Sequence, residues 1–280
     1  NKVLKLPFNG RDKNRIGGVT LADGTAFGGI AEGEPMYRYY GFIVDHILQN
    51  KAAADGAMYD VYAKGYRDSD HQRIVGRKEV GDYEWKNRKG SRTKDGKEII
   101  DSQDLFYLGT TVPTSTGGLG NTLRWKNLTF NLYLDWALGH SINHNSEMRY
   151  FMNTFANNYT IIDEVKKCWK QEGDNTKYAR FTANDPDDGN ANFSRTSNIF
   201  NYKGDYLCLR EISLSYSFPK SISSKLGMQD LTISISGNNL HYFTAVRGVS
   251  PEIGTNTTYS NSYYNYPPIK KVCLGVKATF

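Results

Sequence analysis

The sequence predicts an all-β fold whose strands each have one apolar and one polar face. Three segments carry the pattern: residues 127–139, residues 206–218 and the C-terminal residues 271–280. Successive side chains of a strand point to opposite faces, so apolar residues at every second position indicate a two-faced sheet. Both a transmembrane antiparallel β-barrel with a wet lumen and a soluble antiparallel sandwich with one solvated face show this alternation. The pattern alone leaves both open.

Residues 127–139 show the alternation over the greatest length. A barrel strand crosses a membrane in roughly 9–11 residues, so this segment is long enough to span one. Its polar positions include Asn131 and Asp135, which suit a water-filled lumen, and Tyr133 shares their side. The opposite, apolar positions are predicted to face lipid, and they are Leu128, Phe130, Leu132, Leu134, Trp136 and Leu138.

Two later segments repeat the pattern with shorter apolar stripes. In residues 206–218 the predicted lipid-facing positions are Ile212, Leu214 and Tyr216, with serines between them. Leu231, Ile233 and Ile235 alternate in the same way in residues 230–237. Arg210 has the parity of Ile212 and lies near a strand end, so its guanidinium is expected to reach toward the membrane interface.

The C-terminal strand ends the chain on an aromatic residue. Chains that close a barrel in the bacterial outer membrane typically end in this way, because the assembly machinery reads the last strand. We therefore interpret the alternating apolar residues of this strand as an assembly signal: Val272, Leu274, Val276, Ala278 and Phe280.

Composition excludes a helical membrane protein. Hydrophobic residues make up 39% of the chain, the mean hydropathy is -0.60, and no run of 18 apolar residues occurs. The net charge is +6, but most basic residues lie among acidic ones, so nucleic acid is not an expected partner. The basic stretch 86–94 is expected to be a solvated loop, with contact to anionic lipopolysaccharide or substrate as the alternative.

Catalytic, cofactor and metal motifs are not evident in the sequence. The histidines lack zinc-ligand spacing, and no nucleophile elbow or Cys/His pairing is visible, so the chain is not expected to be an enzyme. Calcium would need several closely spaced oxygen ligands. Asp95 stands among cations, and the segment 185–190 (Asp185, Asp187, Asp188 and Asn190) contains Pro186 and lacks a distal Glu, so we expect a solvated turn there and no bound metal.

Several sequence blocks, taken in order, resemble one protein family. Residues 204–219 (GDYLCLREISLSYSFP) are similar to a strand of SusC/RagA-type TonB-dependent transporters of Bacteroidetes. The other blocks that resemble the family are 33–41 (GEPMYRYYG), 104–109 with Pro113, 236–240 (SGNNL), 251–252 (PE), 266–268 (YPP) and the ending 274–280.

The resemblance implies a fold and a function. Members of this family have a 22-stranded barrel, so residues 1–280 are expected to be the C-terminal part of one β-barrel domain, with long outer loops and without the plug domain and TonB box. The complete protein would reside in the cell outer membrane as a multi-pass barrel. It would take up oligosaccharides or peptides with energy from TonB and with a SusD-like surface lipoprotein as partner.

Substrate-contacting residues do not follow from the sequence. The weak candidates are Tyr37, Tyr39, Tyr40 and Tyr133, and for each of them the pattern favours a membrane-interface or packing role over substrate contact. The alternative function is a soluble carbohydrate-binding β-sandwich module, in which Tyr and Trp rings stack on sugars.

Overall fold

The structure, a computed structural model, describes residues 2–7, 14–21, 24–61, 78–88, 90, 92–94, 96–143, 163–181, 192–193, 195–247, 250–252 and 268–280. Asp95 and the segment 185–190, considered above as possible calcium ligands, lie outside these ranges. The chain divides into two compact units. One comprises residues 1–111 and 143–202, and the other comprises residues 112–142 and 203–280.

Strands make up most of the regular structure. In chain order they are β1 (Arg15–Ile16), β2 (Val19–Thr20), β3 (Ala26–Phe27), β4 (Ile30–Ala31), β5 (Arg38–Gly41), β6 (Val44–Ile47), β7 (Tyr59–Asp60), β8 (Tyr83–Trp85), β9 (Ile99–Ile100), β10 (Phe106–Thr110), β11 (Ser115–Trp125), β12 (Leu128–Leu138), β13 (Ser141–Asn143), β14 (Asn201–Lys203), β15 (Tyr206–Ser217), β16 (Asp230–Thr244) and β17 (Lys271–Thr279). The helical segments are α1 (Lys51–Gly56), α2 (Lys220–Ser223) and the 3₁₀ turns Ser102–Asp104, Asp163–Lys167 and Ser224–Leu226.

The first unit consists of short strand pairs around an aromatic core. Antiparallel pairs join β1 to β4, β2 to β3, β5 to β10 and β6 to β8, and a parallel pair joins β7 to β9. Tyr83, Trp85, Ile100 and Phe200 are almost completely buried. Sequence patterns do not predict this unit, because strands of two to five residues are too short to show a periodic pattern.

Buried charges tie distant parts of this unit together. Arg195 forms an ion pair with Asp60 at 2.8 Å, and both side chains are buried. The Arg195 guanidinium also lies 4.5 Å from the centroid of the Trp85 ring. Since an isolated buried charge is strongly unfavourable, each charge depends on its partner to remain in this core.

A second polar cluster is centred on the buried Asp82. Its carboxylate accepts hydrogen bonds from Arg180 Nε at 2.6 Å and from Asn192 Nδ2 at 2.9 Å. The Asn192 side-chain oxygen accepts in turn from the Tyr83 backbone N–H at 2.9 Å. Lys78 and Glu84 form a further buried ion pair nearby in sequence. The unit is therefore held by paired polar groups as well as by its aromatic core.

The segment 43–54 differs in part from its sequence pattern. Residues 43–49 and 51–54 suggest a short helical turn, but Val44 and Ile47 lie in β6, where they pair with β8. Only the later residues form α1, which begins after Asn50. The Asn50 side chain caps the helix by accepting a hydrogen bond from the Ala53 N–H at 3.0 Å. Pairing with β8 therefore outweighs the local helical preference before Asn50.

The second unit is a five-stranded sheet in the order β11-β12-β15-β16-β17, with every neighbouring pair antiparallel. The strands predicted for residues 127–139, 206–218, 230–237 and 271–280 are confirmed as β12, β15, β16 and β17. At one end of the sheet β11 and β12 are joined by a tight turn, in which Lys126 has a positive φ of 54°. The connections at the other end, residues 139–205 and 245–270, are much longer.

Within the described residues, no helix has both the length and the apolar character needed to cross a membrane.

Candidate functional site

The polar face of the sheet is lined by short hydrogen-bonding side chains. Thr122 Oγ1 donates to Asn131 Oδ1 at 2.8 Å, and Asn131 Nδ2 donates to Ser213 Oγ at 3.0 Å. These three residues lie on β11, β12 and β15, so the contacts run across the strands. The alternation that places Asn131 opposite the leucines of β12 thus produces a continuous polar surface.

A β-bulge in β15 brings Arg210 onto this polar face. Across β12, Tyr133 pairs with Glu211 and the next residue, Leu134, pairs with Leu209. Arg210 is thus the extra residue of β15, and one inserted residue reverses the parity of the strand. The predicted position of Arg210, on the apolar face with Ile212, is wrong because the bulge interrupts the alternation between these two residues.

Arg210 is the centre of a charged cluster on the polar face. Its Nε and Nη2 atoms donate to the two carboxylate oxygens of Asp135, each at 2.7 Å. Nη1 donates to Asn239 Oδ1 at 2.8 Å, and Nη2 also donates to the carboxylate of Glu252. A planar guanidinium matches a carboxylate in this two-point geometry, which Lys cannot reproduce.

Glu252 brings a loop segment to the cluster. It lies after β16, in the connection that leads to β17, and its carboxylate also accepts a hydrogen bond from Tyr242 Oη at 3.0 Å. The Glu252 N–H donates to Ser250 Oγ at 3.3 Å. Arg210 and Tyr242 therefore hold residues 250–252 against the polar face of the sheet.

The cluster has structural rather than catalytic chemistry. One guanidinium is matched with two carboxylates, and each group has its hydrogen-bond partners. Nothing in this arrangement supplies a nucleophile beside a general base, which covalent or acid–base catalysis needs. Among the described residues, no group of three or more His, Cys, Asp or Glu is arranged to hold a metal ion. What the arrangement can do is fix the position of a connecting loop.

Three blocks that carry the family resemblance meet at this cluster. Arg210 belongs to the block 204–219, Asn239 to the block 236–240, and Glu252 to the block 251–252. Neither their convergence nor the part played by Asp135 was predicted. The sequence does contain a signal of the bulge: the apolar residues of β15 have odd numbers at Leu207 and Leu209 but even numbers from Ile212 onward.

His140 lies just beyond the end of β12, close to the same polar side. Its ring meets the Tyr206 ring edge-on, with centroids 6.4 Å apart. Burial lowers the pKa of His140, and the carbonyl of Pro251 and the Asp205 carboxylate oppose that shift. Gly204 faces this ring closely, and a β-carbon there would overlap the imidazole. The His140 ring is therefore closely packed, and its burial disfavours the charged form of the imidazole.

The nine residues predicted to face lipid are brought onto one face of the sheet. Across β12 and β15, Leu128 pairs with Tyr216, Phe130 with Leu214 and Leu132 with Ile212. The bulge preserves this face, because Leu209 and Leu207 then stand opposite Leu134 and Trp136. The Trp136 ring also covers Gly117 of β11, where a β-carbon would overlap it. That this face meets lipid stays a prediction.

The apolar face continues across β16 to the C-terminal strand. Ile233 pairs with Val276 and Ile235 pairs with Leu274, so the apolar residues of β17 extend the same surface. Leu274 is 76% exposed and Phe280 is 78% exposed. Val272 and Ala278 complete the row, opposite Gly237 and Leu231. The role of this strand as an assembly signal also stays a prediction.

The four tyrosines considered as substrate contacts lie in different units. Tyr133 lies on the polar face of the sheet and is 43% exposed. In the first unit, Tyr39 Oη donates to Asn201, and the Tyr40 ring packs between Phe27 and Tyr107. Tyr37 is 44% exposed. Tyr39 and Tyr40 thus have packing roles in this structure, whereas Tyr37 and Tyr133 are open to solvent.

Comparison with known proteins identifies relatives of one kind. The chain is 27% identical to TonB-dependent receptor P3 of Formosa agariphila over 194 residues, which are 66% of this chain and 18% of that protein. It is 27% identical to receptor P26 of the same organism over 199 residues (67% and 19%). Receptor P39 is 23% identical over 298 residues (96% and 28%). The chain is similar to TonB-dependent receptors. It spans less than a third of the length of each of these relatives.

Solved structures agree on the fold. The structure of the RagAB peptide transporter matches all of this chain with a TM-score of 0.60 at 16% identity, and the match covers 26% of that chain. The 'closed-closed' state of the RagAB peptide importer matches with a TM-score of 0.58, again over the whole of this chain. No sequence-family profile matches. The all-β fold and the resemblance to SusC/RagA-type receptors are therefore confirmed, and these relatives are receptors and transporters rather than enzymes.

Proposed function

We propose that this chain forms C-terminal wall strands and outer loops of an outer-membrane, TonB-dependent nutrient importer of the SusC type. The observation that carries the proposal is the continuous apolar face of the five-stranded sheet, which is backed by a polar face. A membrane barrel needs these two surfaces on the same strands, because one side meets hydrocarbon and the other meets water.

The shape of the connections supports the same proposal. Bacterial outer-membrane barrels have short periplasmic turns and long extracellular loops. At the end of Lys126 the sheet has a tight turn and the connection 218–229, and at the end of His140 it has the much longer connections 139–205 and 245–270. With the end of Lys126 at the periplasmic side and the end of His140 at the outer side, the Arg210 cluster faces the lumen and holds an outer loop through Glu252. Residues 1–280 would thus be one part of a single barrel domain, in spite of their two compact units.

The exposed apolar face argues against the alternative of a soluble sandwich. A sandwich buries one face of each sheet under a second sheet, about 10 Å away. Here Leu123 and Trp125 of β11 are 60% and 69% exposed, and Val276 of β17 is 67% exposed. Leaving such a surface in water is strongly unfavourable for a soluble domain.

For the imported nutrient we propose an oligosaccharide or a peptide, delivered with a SusD-like surface lipoprotein. The support is the similarity to TonB-dependent receptors and the fold of the RagAB peptide transporter. The test is uptake in cells that carry the full-length receptor, with labelled oligosaccharide and peptide mixtures supplied in parallel. Import of either class that stops when TonB is deleted supports the proposal. Equal uptake with and without the receptor gene would contradict it.

A further inference from the structure

The turn that joins β15 to β16 holds two apolar side chains out of the fold. It consists of α2 and the 3₁₀ turn Ser224–Leu226. Ile222 is 43% exposed and Leu226 is 57% exposed. Both side chains therefore expose apolar surface on the same short turn. Connecting turns that run through water seldom carry such a pair.

The turn is firmly held, so this exposure is a property of the fold. Ser223 is fully buried, and its carbonyl accepts a hydrogen bond from the Met228 N–H at 3.0 Å. The Ser223 N–H donates to the Pro219 carbonyl at 3.2 Å. Gly227 then ends the turn with a φ of 72°. The backbone of the turn is thus fixed around Ser223, and Ile222 and Leu226 stay exposed on it.

The apolar pair follows directly from the apolar face of the sheet. The Tyr216 and Phe218 rings meet edge-on with centroids 5.0 Å apart. Tyr216 pairs with Leu128 and Ile233 on the apolar face, and three residues separate Phe218 from Ile222. Trp125 lies at the same end of the sheet, where its ring is 5.0 Å from Lys126 Nζ. Aromatic residues at a strand end are typical of the membrane interface.

The charges of the turn have a single sign. Lys220 and Lys225 are exposed, and neither α2 nor Ser224–Leu226 contains an acidic residue. Apolar side chains flanked by lysines are characteristic of segments that lie in the headgroup region, where the ammonium groups reach lipid phosphates.

We propose that residues 219–227 are an interfacial anchor for the phospholipid leaflet at the short-turn end of the barrel. Ile222 and Leu226 enter the boundary between headgroups and acyl chains, and Lys220 and Lys225 contact phosphates. This inference rests on the proposed function, because it requires that the apolar face of the sheet lies in a bilayer.

The test places a polarity-sensitive NBD fluorophore on single cysteines of the full-length receptor, after its other exposed cysteines, including Cys273, are changed to Ser. The labelled variants are Ile222→Cys, Leu226→Cys and, as a matched control one residue from the buried Ser223, Ser224→Cys. The receptor is reconstituted in vesicles of phosphatidylcholine and phosphatidylglycerol. Quenching is measured with a lipid that carries a shallow nitroxide and with aqueous iodide.

We expect the probes at 222 and 226 to lose fluorescence with the nitroxide lipid and to resist iodide, and the probe at 224 to show the reverse. Quenching of all three by iodide alone would overturn the anchor. Protection from both quenchers would also overturn it, since it indicates that protein covers the turn. When Lys220→Gln and Lys225→Gln are combined, iodide should quench the probe at 222 more strongly in vesicles that contain phosphatidylglycerol, but not in vesicles of phosphatidylcholine alone. Unchanged quenching in both would refute the lysine contacts.

A further probe at Leu214→Cys separates this inference from the proposed function. Leu214 lies on the apolar face, three residues before the end of β15, and pairs with Phe130. If the lipid quenches this probe but not those at 222 and 226, the anchor is wrong and the barrel wall stands. If the lipid fails to quench the probe at 214, the proposed function itself is contradicted.

Discussion

Asp135 and Arg210 face each other across β12 and β15 through two parallel hydrogen bonds of 2.7 Å. The contact exists because one extra residue in β15 turns Arg210 toward the strand face that carries Asp135. Bulges are common at barrel rims and beside functional sites, where they redirect a side chain. Here the bulge converts a position of apolar parity into the centre of a polar cluster.

Replacement of Arg210 by Lys should destabilise the barrel although it keeps the charge. An ammonium group cannot make the two-point contact with Asp135 while it also reaches Asn239 and Glu252. Hydrogen bonds to charged groups contribute about 1.5–3 kcal/mol each, and partial exposure favours the lower end for this cluster. The measurement is the temperature at which the full-length receptor loses its folded mobility on a gel.

Asp135→Asn, combined with Arg210→Lys, completes a double-mutant cycle. If the two groups act together, the double variant should lose less stability than the sum of the single variants. Strictly additive losses would show that the contact does not stabilise the protein. Asp230→Asn, which removes an exposed carboxylate outside the cluster, is the control for loss of negative charge.

Glu252→Gln should loosen the segment after β16 without unfolding the sheet. The amide keeps the shape of the side chain but weakens the charge-assisted contact with Arg210. Faster hydrogen exchange is therefore expected in residues 246–252, and β15 and β16 should exchange as before. Glu211→Gln is the matched control, since Glu211 is adjacent to Arg210 and carries the same charge. Faster exchange in the control alone would contradict the role of Glu252.

The sequence predicted the sheet well because its strands are long and have two chemically different faces. Eleven residues of β12 alternate without interruption, so the pattern itself assigns Leu132 to the apolar face, whereas its pairing with Ile212 is known only from the structure. At Arg210 the pattern predicted the wrong face, because strict alternation was assumed although the apolar positions of β15 change there from odd to even numbers. Loop contacts such as that of Glu252 depend on tertiary packing, which a local pattern does not encode.

The first unit was beyond sequence patterns for a different reason. Its strands are short, and its stability comes from contacts between residues far apart in the chain, such as Asp60 with Arg195. A periodic signal needs several turns or strand positions to emerge. Isolated Asp and Arg residues in a polar sequence resemble surface charges, so their burial could be recognised only from the structure.

Asp60→Asn should strongly destabilise the first unit. The substitution leaves the Arg195 guanidinium buried beside Trp85 and Phe42 without its carboxylate. Removal of one member of a buried ion pair typically costs about 3–5 kcal/mol. Trypsin sensitivity of residues 78–111 in the full-length receptor should rise accordingly.

Glu98→Gln is the control, because it breaks the exposed pair with Arg92. This variant should lose only about 0–1 kcal/mol of stability. Equal effects of the two variants would refute this assignment.

The thiol of Cys168 should resist alkylation at mildly alkaline pH. Burial raises its pKa to about 12, so the reactive thiolate is scarce at pH 8–9 in the folded protein. Since the folded-state pKa is raised, the neutral thiol contributes to stability below its unfolded pKa, and this contribution is lost as the pH rises toward 12. Peptide mapping after iodoacetamide treatment should show Cys168 modified only when the protein is unfolded. Rapid labelling of the folded protein at pH 8 would contradict its burial.

Leu132→Arg should prevent assembly of the receptor in the outer membrane. Leu132 lies in the middle of β12 on the apolar face, and an arginine at mid-membrane costs about 2–4 kcal/mol in a barrel. Leu134→Arg, two residues along the same face, should behave alike. The measurement is the amount of heat-modifiable receptor in purified outer membranes.

Ser215→Arg is the matched control for the lipid face, because Ser215 has the opposite parity in the neighbouring strand β15 and pairs with Thr129 on the polar face. Arginine at that position points to the side that the proposal assigns to water, so assembly should persist at near normal levels. If Leu132→Arg reaches the membrane as well as Ser215→Arg does, the apolar face does not meet hydrocarbon. β12 would then not be a membrane-spanning strand of the barrel wall. The main reason for placing this sheet in a membrane would also be lost.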